Sequence, residues 1–231
     1  MNLNFDLAKP QTLAAFIDHT LLKPEATKHQ VRQLCEEALE HHFFSVCVNS
    51  WMITTCREVL KTTKVNICSV VGFPLGTSES SVKSFETTRA LNMGAHEIDM
   101  VINVGALKAQ EYSYVEKEIQ SVVRAAEGRL VKVILETCLL NDEEKKKACE
   151  LSLSAGAHFV KTSTGFSTGG ATVADVTLMK AAVGTRAQVK ASGGIRDLET
   201  AAQMISAGAT RLGTSSGVLL VKGQNAAGRN Y

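Results

Sequence analysis

Short runs rich in β-branched residues alternate with longer amphipathic stretches along almost the whole chain. Eight segments have strand character, at residues 15–20, 45–49, 65–72, 97–103, 131–137, 159–163, 188–192 and 211–214. Between them, apolar residues recur at three- and four-residue spacing, as in HQVRQLCEEALEHH and DLETAAQMISAG, which predicts helices. Strands that alternate with helices in this way predict βαβ units and a parallel α/β sheet.

A weak internal repeat supports this count. Three helical patterns end in NMGAHEID, SAGAHFVK and SAGATRLG, with a glycine at Gly94, Gly156 and Gly208. Glycine adopts the left-handed conformation that ends a helix at little cost. Eight strands in 231 residues predict a compact (β/α)8 TIM barrel, since about 250 residues are typical of that fold. A doubly wound open sheet is the alternative, but no GxGxxG follows the first strand.

Composition limits the organisation and the partners of the chain. No low-complexity linker marks a domain boundary, so we expect one domain over residues 1–231, with 223–231 as a flexible C-terminal tail. With 25 basic and 23 acidic side chains, the net charge of +2 gives no electrostatic case for nucleic acid. No segment approaches the ~18 apolar residues of a membrane span, and the N-terminus lacks a signal-peptide pattern. We therefore expect a cytoplasmic protein.

The six cysteines show no CxxC pair and no Cys/His spacing typical of a metal site. The sequence thus predicts no metal, and it predicts reduced thiols in a chain without an export signal. Cys47 is more simply explained as a small buried apolar residue than as a nucleophile.

Charged residues interrupt strands that a parallel barrel would bury. Because side chains alternate across a strand, the apolar positions are predicted to face the helices and the charged positions to face the barrel axis. A single strand lysine is usually at a sheet edge, but several buried ammonium groups together are costly unless they are paired. The inward set therefore predicts an active site, with Cys47 at a comparable place; its charged members are Asp18, Asp99, Lys132, Lys161 and Lys190.

The residue types suggest the chemistry. A lysine crowded by other cations loses its proton more readily, and a free amine attacks carbonyls to form a Schiff base. A second lysine and an aspartate beside it could move protons. The pattern alone does not choose among Lys132, Lys161 and Lys190 as the nucleophile.

Three turns rich in glycine and hydroxyl groups follow the last three strands. TSTGFSTGG comes after Lys161, ASGGIRD after Lys190, and GTSSG ends the last strand. In (β/α)8 barrels, loops in this position often hold a phosphate group through backbone N–H groups. The sequence therefore predicts a phosphate site, in which Ser215 and Ser216 could donate hydrogen bonds.

Together these blocks resemble the deoxyribose-phosphate aldolase family. The blocks IDHTLLKPEAT, VCVNS, VVGFPLG, EIDMVINVG, VKVILET, FVKTSTGF, VKASGGIRD and GTSSG match in order from about residue 16 to residue 217. The resemblance implies a (β/α)8 class I aldolase without metal or organic cofactor. Its substrate would be a phosphorylated sugar, 2-deoxy-D-ribose 5-phosphate, cleaved to D-glyceraldehyde 3-phosphate and acetaldehyde.

The resemblance also implies roles for single residues. Lys161 would form the Schiff base, Lys190 would assist it, and Asp99 would join the proton relay. The remaining substrate-binding residues implied by the matching blocks are Asp18, Cys47, Lys132, Thr164, Gly165, Gly193, Gly194, Ser215 and Ser216. One position departs from some members, because Phe166 stands where they have a basic residue after KTSTG.

Three further expectations follow. Another Schiff-base barrel, such as a fructose-bisphosphate aldolase or a transaldolase, is the nearer alternative function, and a catalytically silent phosphate-binding barrel is the more distant one. Barrels of this family are often dimers, so a homodimer is expected. Some relatives also end in tyrosine, and Tyr231 could pass a proton to the reacting carbon if the tail closes over the substrate.

Overall fold

A closed barrel of eight parallel strands forms the centre of the fold. The computed structural model describes residues 5–224. Each strand pairs with the next along the chain, and β8 pairs with β1 to close the barrel. The strands are β1 (Ile17–Leu21), β2 (Ser45–Val48), β3 (Asn66–Val71), β4 (Glu97–Val101), β5 (Leu130–Ile134), β6 (Phe159–Lys161), β7 (Gln188–Ser192) and β8 (Ala209–Thr214). This topology confirms the (β/α)8 barrel and rules out the open sheet.

Helices surround the barrel between successive strands. Those within the described residues are α1 (Lys28–Glu40), α2 (Ile53–Leu60), α3 (Ser80–Met93), α4 (Val104–Lys108), α5 (Tyr112–Ala125), α6 (Asp142–Ser154), α7 (Val173–Val183), α8 (Leu198–Ser206) and α9 (Gly217–Val221). Short 3-10 helices occur at Pro10–Phe16, Ser50–Met52 and Thr137–Leu139. None of the helices in residues 5–224 is long and apolar enough to cross a membrane.

Local sequence explains where several helices begin and end. Thr27 and Gln30 form a reciprocal capping box at the start of α1. The three repeat glycines follow α3, α6 and α8 with φ angles of 116°, 85° and 112°, the left-handed conformation expected of them. The repeat in the sequence is therefore a repeated helix end that turns the chain into the next strand.

The core has an apolar outer layer and a polar centre. Outward strand residues such as Ile98, Val131, Val160 and Val189 are fully buried in the main apolar cluster with the helices. The alternation predicted for these strands is thus confirmed. The outward side chains of these strands form the apolar core with the helices, and the inward side chains of the same strands include the buried charged residues.

Several strands are shorter than predicted at one end. Ala15 lies in the 3-10 helix Pro10–Phe16 and not in β1. β5 ends at Ile134 because Glu136 has a left-handed φ of 57° and a 3-10 helix begins at Thr137. These turns carry the chain into the loops at the carboxyl ends of the strands, where (β/α)8 barrels bind their substrates.

The shared core supports the expectation of one domain over residues 1–231, which stays a prediction. At the end of the described chain, the Gln224 N–H donates to the Leu219 carbonyl oxygen at 2.8 Å. Residues 225–231, which include Tyr231 and most of the predicted tail, lie outside the described residues.

Candidate active site

Asp99 lies at the centre of a cluster of buried charges on the barrel axis. Its Oδ2 atom accepts hydrogen bonds from the Nζ atoms of Lys161 and Lys190, both at 2.8 Å. Its Oδ1 atom accepts from Lys132 Nζ at 2.8 Å. One carboxylate on β4 therefore contacts the three lysines that β5, β6 and β7 supply, as inward-facing positions predict.

Asp18 on β1 is the second carboxylate of the cluster. Its Oδ2 atom lies 2.5 Å from Lys190 Nζ, and its Oδ1 atom accepts from Ser45 Oγ at 2.6 Å and from Arg211 Nη1 at 2.8 Å. Asp18 is fully buried, so these donors replace the water that the carboxylate loses on folding. The structure thus brings Asp18 together with Asp99 through Lys190.

The three lysines differ in the number of carboxylates that they contact. Lys190 lies between Asp18 and Asp99, and Lys132 contacts Asp99 and Glu97, the latter at 2.6 Å. Within residues 5–224, Lys161 forms its ion pair with Asp99 alone, and its side chain is 3% exposed. Among these three lysines, Lys161 therefore forms ion pairs with the fewest carboxylates.

The surroundings determine which groups carry charge. Burial by itself would lower the pKa of Lys190, but Asp18 and Asp99 outweigh it, so this pKa lies above its ordinary value. The pKa of Lys132 is likewise raised well above its usual range, because Asp99 and other anionic neighbours outweigh burial. Burial would raise the pKa of Asp99, yet the three lysines hold it well below its usual range. Lys132 and Lys190 are thus cations and Asp99 is an anion.

Cys47 lies beside this cluster in a small apolar group with Leu22, Val70 and Phe73. Its thiol is fully buried, and a hydrogen bond with Cys68 lowers the pKa of Cys47. Ligand atoms of Cys47, Cys68 and Asp99 lie within 4.8 Å of one another, a spacing that a metal ion could use. However, Lys132 Nζ lies 2.8 Å from Asp99 and 3.5 Å from Cys68 Sγ, so an ammonium group already binds two of these ligands.

The three turns predicted to bind phosphate lie next to one another. The Gly193 carbonyl on the turn after β7 accepts from Ala171 N, on the loop after β6, at 3.0 Å. Thr214 Oγ1, at the end of β8, donates to the Ile195 carbonyl at 2.8 Å. Gly165 and Gly194 have positive φ angles, and an added Cβ at either would meet no atom within 4 Å. Open backbone of this kind lets a ligand approach the N–H groups.

A small cavity of about 50 Å³ opens beside these turns, and its lining includes Lys23, Thr164, Phe166 and Ser215. The ring of Phe166 packs edge-on against Phe73, with 5.3 Å between the ring centres. Ser216 follows Ser215, and its N–H donates to Thr214 Oγ1 at 3.0 Å. The cavity thus joins Thr164 and Ser215, whereas Gly193 and Gly194 lie on the adjacent turn.

Four residues near the site were not singled out from the sequence. Glu97 and Arg211 pair with each other at 3.2 Å within the charge cluster. Lys23 lines the cavity. Glu136 is buried and accepts hydrogen bonds from the Thr164 N–H and hydroxyl. Burial raises the pKa of Glu136, and the hydrogen bonds from Thr164 reduce this rise. Alternation offered a signal for Glu97, which lies two residues before Asp99 on the same face of β4.

Comparison with known proteins identifies the family of this chain. A family model described as DeoC/LacD family aldolase matches residues 12–228. The chain is 58% identical over 216 residues to a deoxyribose-phosphate aldolase of Bdellovibrio bacteriovorus, covering 94% of this chain and 98% of that one. It is 59% identical to the enzyme of Streptococcus sanguinis over the same shares. The solved deoxyribose phosphate aldolase of Aeropyrum pernix, described as a tetramer, superposes with a TM-score of 0.87 at 36% identity, over 93% of this chain and 92% of that one. The chain belongs to the DeoC/LacD family of aldolases.

Proposed function

We propose that this aldolase reversibly cleaves 2-deoxy-D-ribose 5-phosphate to D-glyceraldehyde 3-phosphate and acetaldehyde through a Schiff base on Lys161. The observation that carries the proposal is the contact of Lys161 Nζ with Asp99 Oδ2 in a closed barrel whose other two inward lysines hold their protons. The names of relatives at 58% and 59% identity support the choice of substrate.

The proposed reaction begins when the free amine of Lys161 adds to the C1 aldehyde of the open-chain sugar and water leaves. The resulting iminium withdraws electrons, so the C2–C3 bond breaks as the C3 hydroxyl loses its proton. Glyceraldehyde 3-phosphate departs and an enamine of acetaldehyde remains. Protonation at C2 and addition of water then release acetaldehyde and the amine. No cofactor enters this sequence of steps.

Asp99 and Lys190 are the proposed proton carriers. Asp99 Oδ2 accepts hydrogen bonds from both Lys161 and Lys190. A proton can therefore pass between Lys190, Asp99 and the amine of Lys161 as the intermediate changes charge. Asp18 holds Lys190 from its other side. Lys132 and Cys47 complete the wall of the pocket in this proposal.

The substrate phosphate is proposed to bind at the turns after β6, β7 and β8. Open backbone at Gly165 and Gly194, the neighbouring Gly193, and the hydroxyl groups of Ser215 and Ser216 support this assignment. Thr164 is held by Glu136 and shapes the cavity.

Lys23 is proposed to supply the positive charge that some members of the family have at the position of Phe166. Lys23 follows β1 and lines the same cavity as Phe166 and Ser215. An exposed ammonium group there would attract a phosphate without the desolvation that a buried cation requires.

Reduction with borohydride in the presence of acetaldehyde tests the Schiff base. We expect an ethyl group on Lys161, found by peptide mass, and no turnover in Lys161→Ala. A label on Lys132 or Lys190 would overturn the assignment. The absence of any label would favour a silent phosphate-binding barrel.

Product analysis tests the substrate. Incubation with 2-deoxyribose 5-phosphate should release acetaldehyde. Labelling by a ketose donor such as dihydroxyacetone phosphate, without acetaldehyde release, would favour the fructose-bisphosphate aldolase or transaldolase alternative.

Self-association is also proposed, as a homodimer. Val82 and Phe85 lie three positions apart in α3 and are 51% and 67% exposed, and Leu75 in the loop before α3 is 74% exposed. An apolar patch formed by such side chains would suit an interaction surface. Light scattering should give twice the mass of 24.8 kDa, and Phe85→Glu should give the monomer. A monomeric wild-type chain would refute the proposal.

The cytoplasm is the proposed compartment. All six cysteines lie within the described residues and are free thiols, five of them buried, which fits a reducing environment. Cell fractionation with antibody detection tests this assignment.

A further inference from the structure

His19 lies beside the turn at the end of β8, although its side chain faces away from the barrel axis. Asp18, the residue before it, faces the charge cluster, so alternation directs His19 towards the helices. The pairing of β1 with β8 places His19 opposite Thr214, the last residue of β8. Residues 215–217, the β8 turn, follow directly and include Ser215 and Ser216 of the proposed phosphate site.

One ring nitrogen of His19 is held by α1. Nε2 lies 2.7 Å from Glu37 Oε2, and the other carboxylate oxygen of Glu37 accepts from Gln33 Nε2 at 2.9 Å. The ring is buried, and the ring of Phe43 packs against it with 5.0 Å between the ring centres. The hydrogen bond with His19 lowers the pKa of Glu37, so the partner of the ring is an anion. A hydrogen bond to a charged group is among the stronger ones in proteins, and it fixes the orientation of the ring.

The other ring nitrogen of His19 faces the β8 turn. A Cβ atom added at Gly217 would lie 3.0 to 3.2 Å from atoms of three side chains, namely His19 Nδ1, Phe43 Cζ and Ile17 Cγ2. The backbone of Gly217 therefore packs closely against these side chains, and only glycine leaves them undisturbed. Nδ1 has no hydrogen-bond partner within residues 5–224, so the contact of Nε2 with Glu37 is the hydrogen bond that orients the ring.

The β8 turn is also held from the barrel side. The Ser216 N–H donates to Thr214 Oγ1 at 3.0 Å, and Thr214 Oγ1 donates to the Ile195 carbonyl at 2.8 Å. His19 supports the same turn from the helix side, through Gly217. Hydrogen bonds weaken steeply when their distance or angle departs from the optimum, so a phosphate bound by this turn depends on both supports.

We propose that His19 is a positioning residue for the substrate phosphate, which holds the β8 turn in place through its bond with Glu37 and its packing on Gly217. This inference rests on the proposed function, because it assigns how the phosphate site of that reaction is shaped. His19 contacts no substrate atom in this account. Its loss should therefore weaken binding of the phosphate group and leave the chemistry at Lys161 unchanged.

Three substitutions change the contacts of the ring in different ways. His19→Ala removes both contacts, and Glu37→Leu removes the hydrogen bond while it leaves the ring in the chain. Gly217→Ala places a methyl group against the ring from the side of the turn.

Two further variants are matched controls. Gly105→Ala adds a Cβ atom 3.4 Å from Asn103 Oδ1, which is an ordinary contact distance. His158→Ala removes a histidine whose Nδ1 atom accepts from the Val131 N–H at 3.2 Å, near the amino end of β5 and away from the β8 turn.

The readouts separate phosphate binding from chemistry. They are kcat and KM for 2-deoxyribose 5-phosphate and for unphosphorylated 2-deoxyribose, together with the affinity for inorganic phosphate by calorimetry. His19→Ala should raise KM for the phosphorylated sugar about tenfold, the size of one lost hydrogen bond to a charged group, and weaken phosphate binding equally. Glu37→Leu and Gly217→Ala should act in the same direction. We expect kcat, KM for 2-deoxyribose and both control variants to be unchanged.

A fall in kcat for both sugars, with KM and phosphate affinity unchanged, would show a merely structural role and overturn the proposal. An equal rise in KM for both sugars would also overturn it. If His19→Ala does not fold, as judged by circular dichroism, unchanged phosphate affinity in Glu37→Leu and Gly217→Ala overturns it without that variant. Failure of the proposed function would look different, since the wild-type chain would then release no acetaldehyde, while the comparison of phosphate affinities would still test His19.

Discussion

Replacing Lys190 with methionine tests how strongly one buried cation controls its neighbour. Lys190 is fully buried, and Lys190→Met keeps most of the side-chain volume while it removes the ammonium group. The change removes one of the two cations that contact Asp99 Oδ2 and leaves Lys161 as its partner. The substitution thus removes both a positive charge beside Lys161 and one of the two proposed proton carriers, so turnover should fall while substrate binding is largely kept.

The magnitude follows from the geometry. Both Nζ atoms lie 2.8 Å from Asp99 Oδ2, so they are at most twice that distance apart. At ~5.6 Å and an effective dielectric constant of ~20, two unit charges repel by about 3 kcal/mol. At ~1.4 kcal/mol for each factor of ten, an interaction of this size corresponds to about a hundredfold in rate. The loss of a positioned proton carrier has a similar effect, so kcat should fall about a hundredfold.

The assay is the measurement of kcat and KM for 2-deoxyribose 5-phosphate. Lys83→Met is the matched control, because Lys83 is also a buried, ion-paired lysine but pairs with Glu118 outside the cluster. We expect kcat to fall about a hundredfold in Lys190→Met with little change in KM, and both constants to be unchanged in Lys83→Met. A near-normal kcat in Lys190→Met would refute the reasoning.

Three further predictions concern other parts of the chain. In steady-state assays, Phe166→Lys should lower KM for the phosphorylated sugar about fivefold, and Lys23→Ala should raise it about as much. This magnitude corresponds to ~1 kcal/mol for each screened charge contact, and KM for unphosphorylated 2-deoxyribose should not change. Lys83→Met should lower the free energy of unfolding by about 3 kcal/mol in urea titrations, because Glu118 stays buried without its cation. Tyr231→Phe, at a position outside the described residues, should slow deuterium exchange into acetaldehyde while labelling of Lys161 persists; unchanged exchange would exclude Tyr231 from proton transfer.

The fold could be predicted because its signals are local and repeated. Eight β-branched segments, separated by amphipathic segments, define a parallel barrel whatever their exact ends. The ends themselves were less accurate, as at Glu136, where a left-handed residue stops β5 before the predicted residue 137. Such a conformation is uncommon for glutamate and is stabilised by its contacts with Thr164, a loop residue distant in sequence.

The inward direction of the charged residues could also be predicted, but not their partners. Alternation along a strand determines which face a side chain occupies and says nothing about which strand lies opposite. Lys190 contacts Asp18 across 172 positions in sequence, and Arg211 contacts it across 193. Glu97 and Arg211 were therefore left among ordinary strand residues, because their place in the charge cluster depends on contacts that only the closed barrel creates.

The residue pattern left three lysines as candidates for the nucleophile, the family resemblance pointed to Lys161, and the geometry adds a difference among them that supports the proposal. The distinguishing feature is a difference in compensation: Lys132 and Lys190 each contact two carboxylates within 3 Å, whereas Lys161 shares the single carboxylate of Asp99 with both. The reactivity proposed for Lys161 therefore depends on a carboxylate that it shares with lysines of two neighbouring strands. For this reason, a change at Lys132 or Lys190 should alter the reaction at Lys161, although neither residue would form the Schiff base.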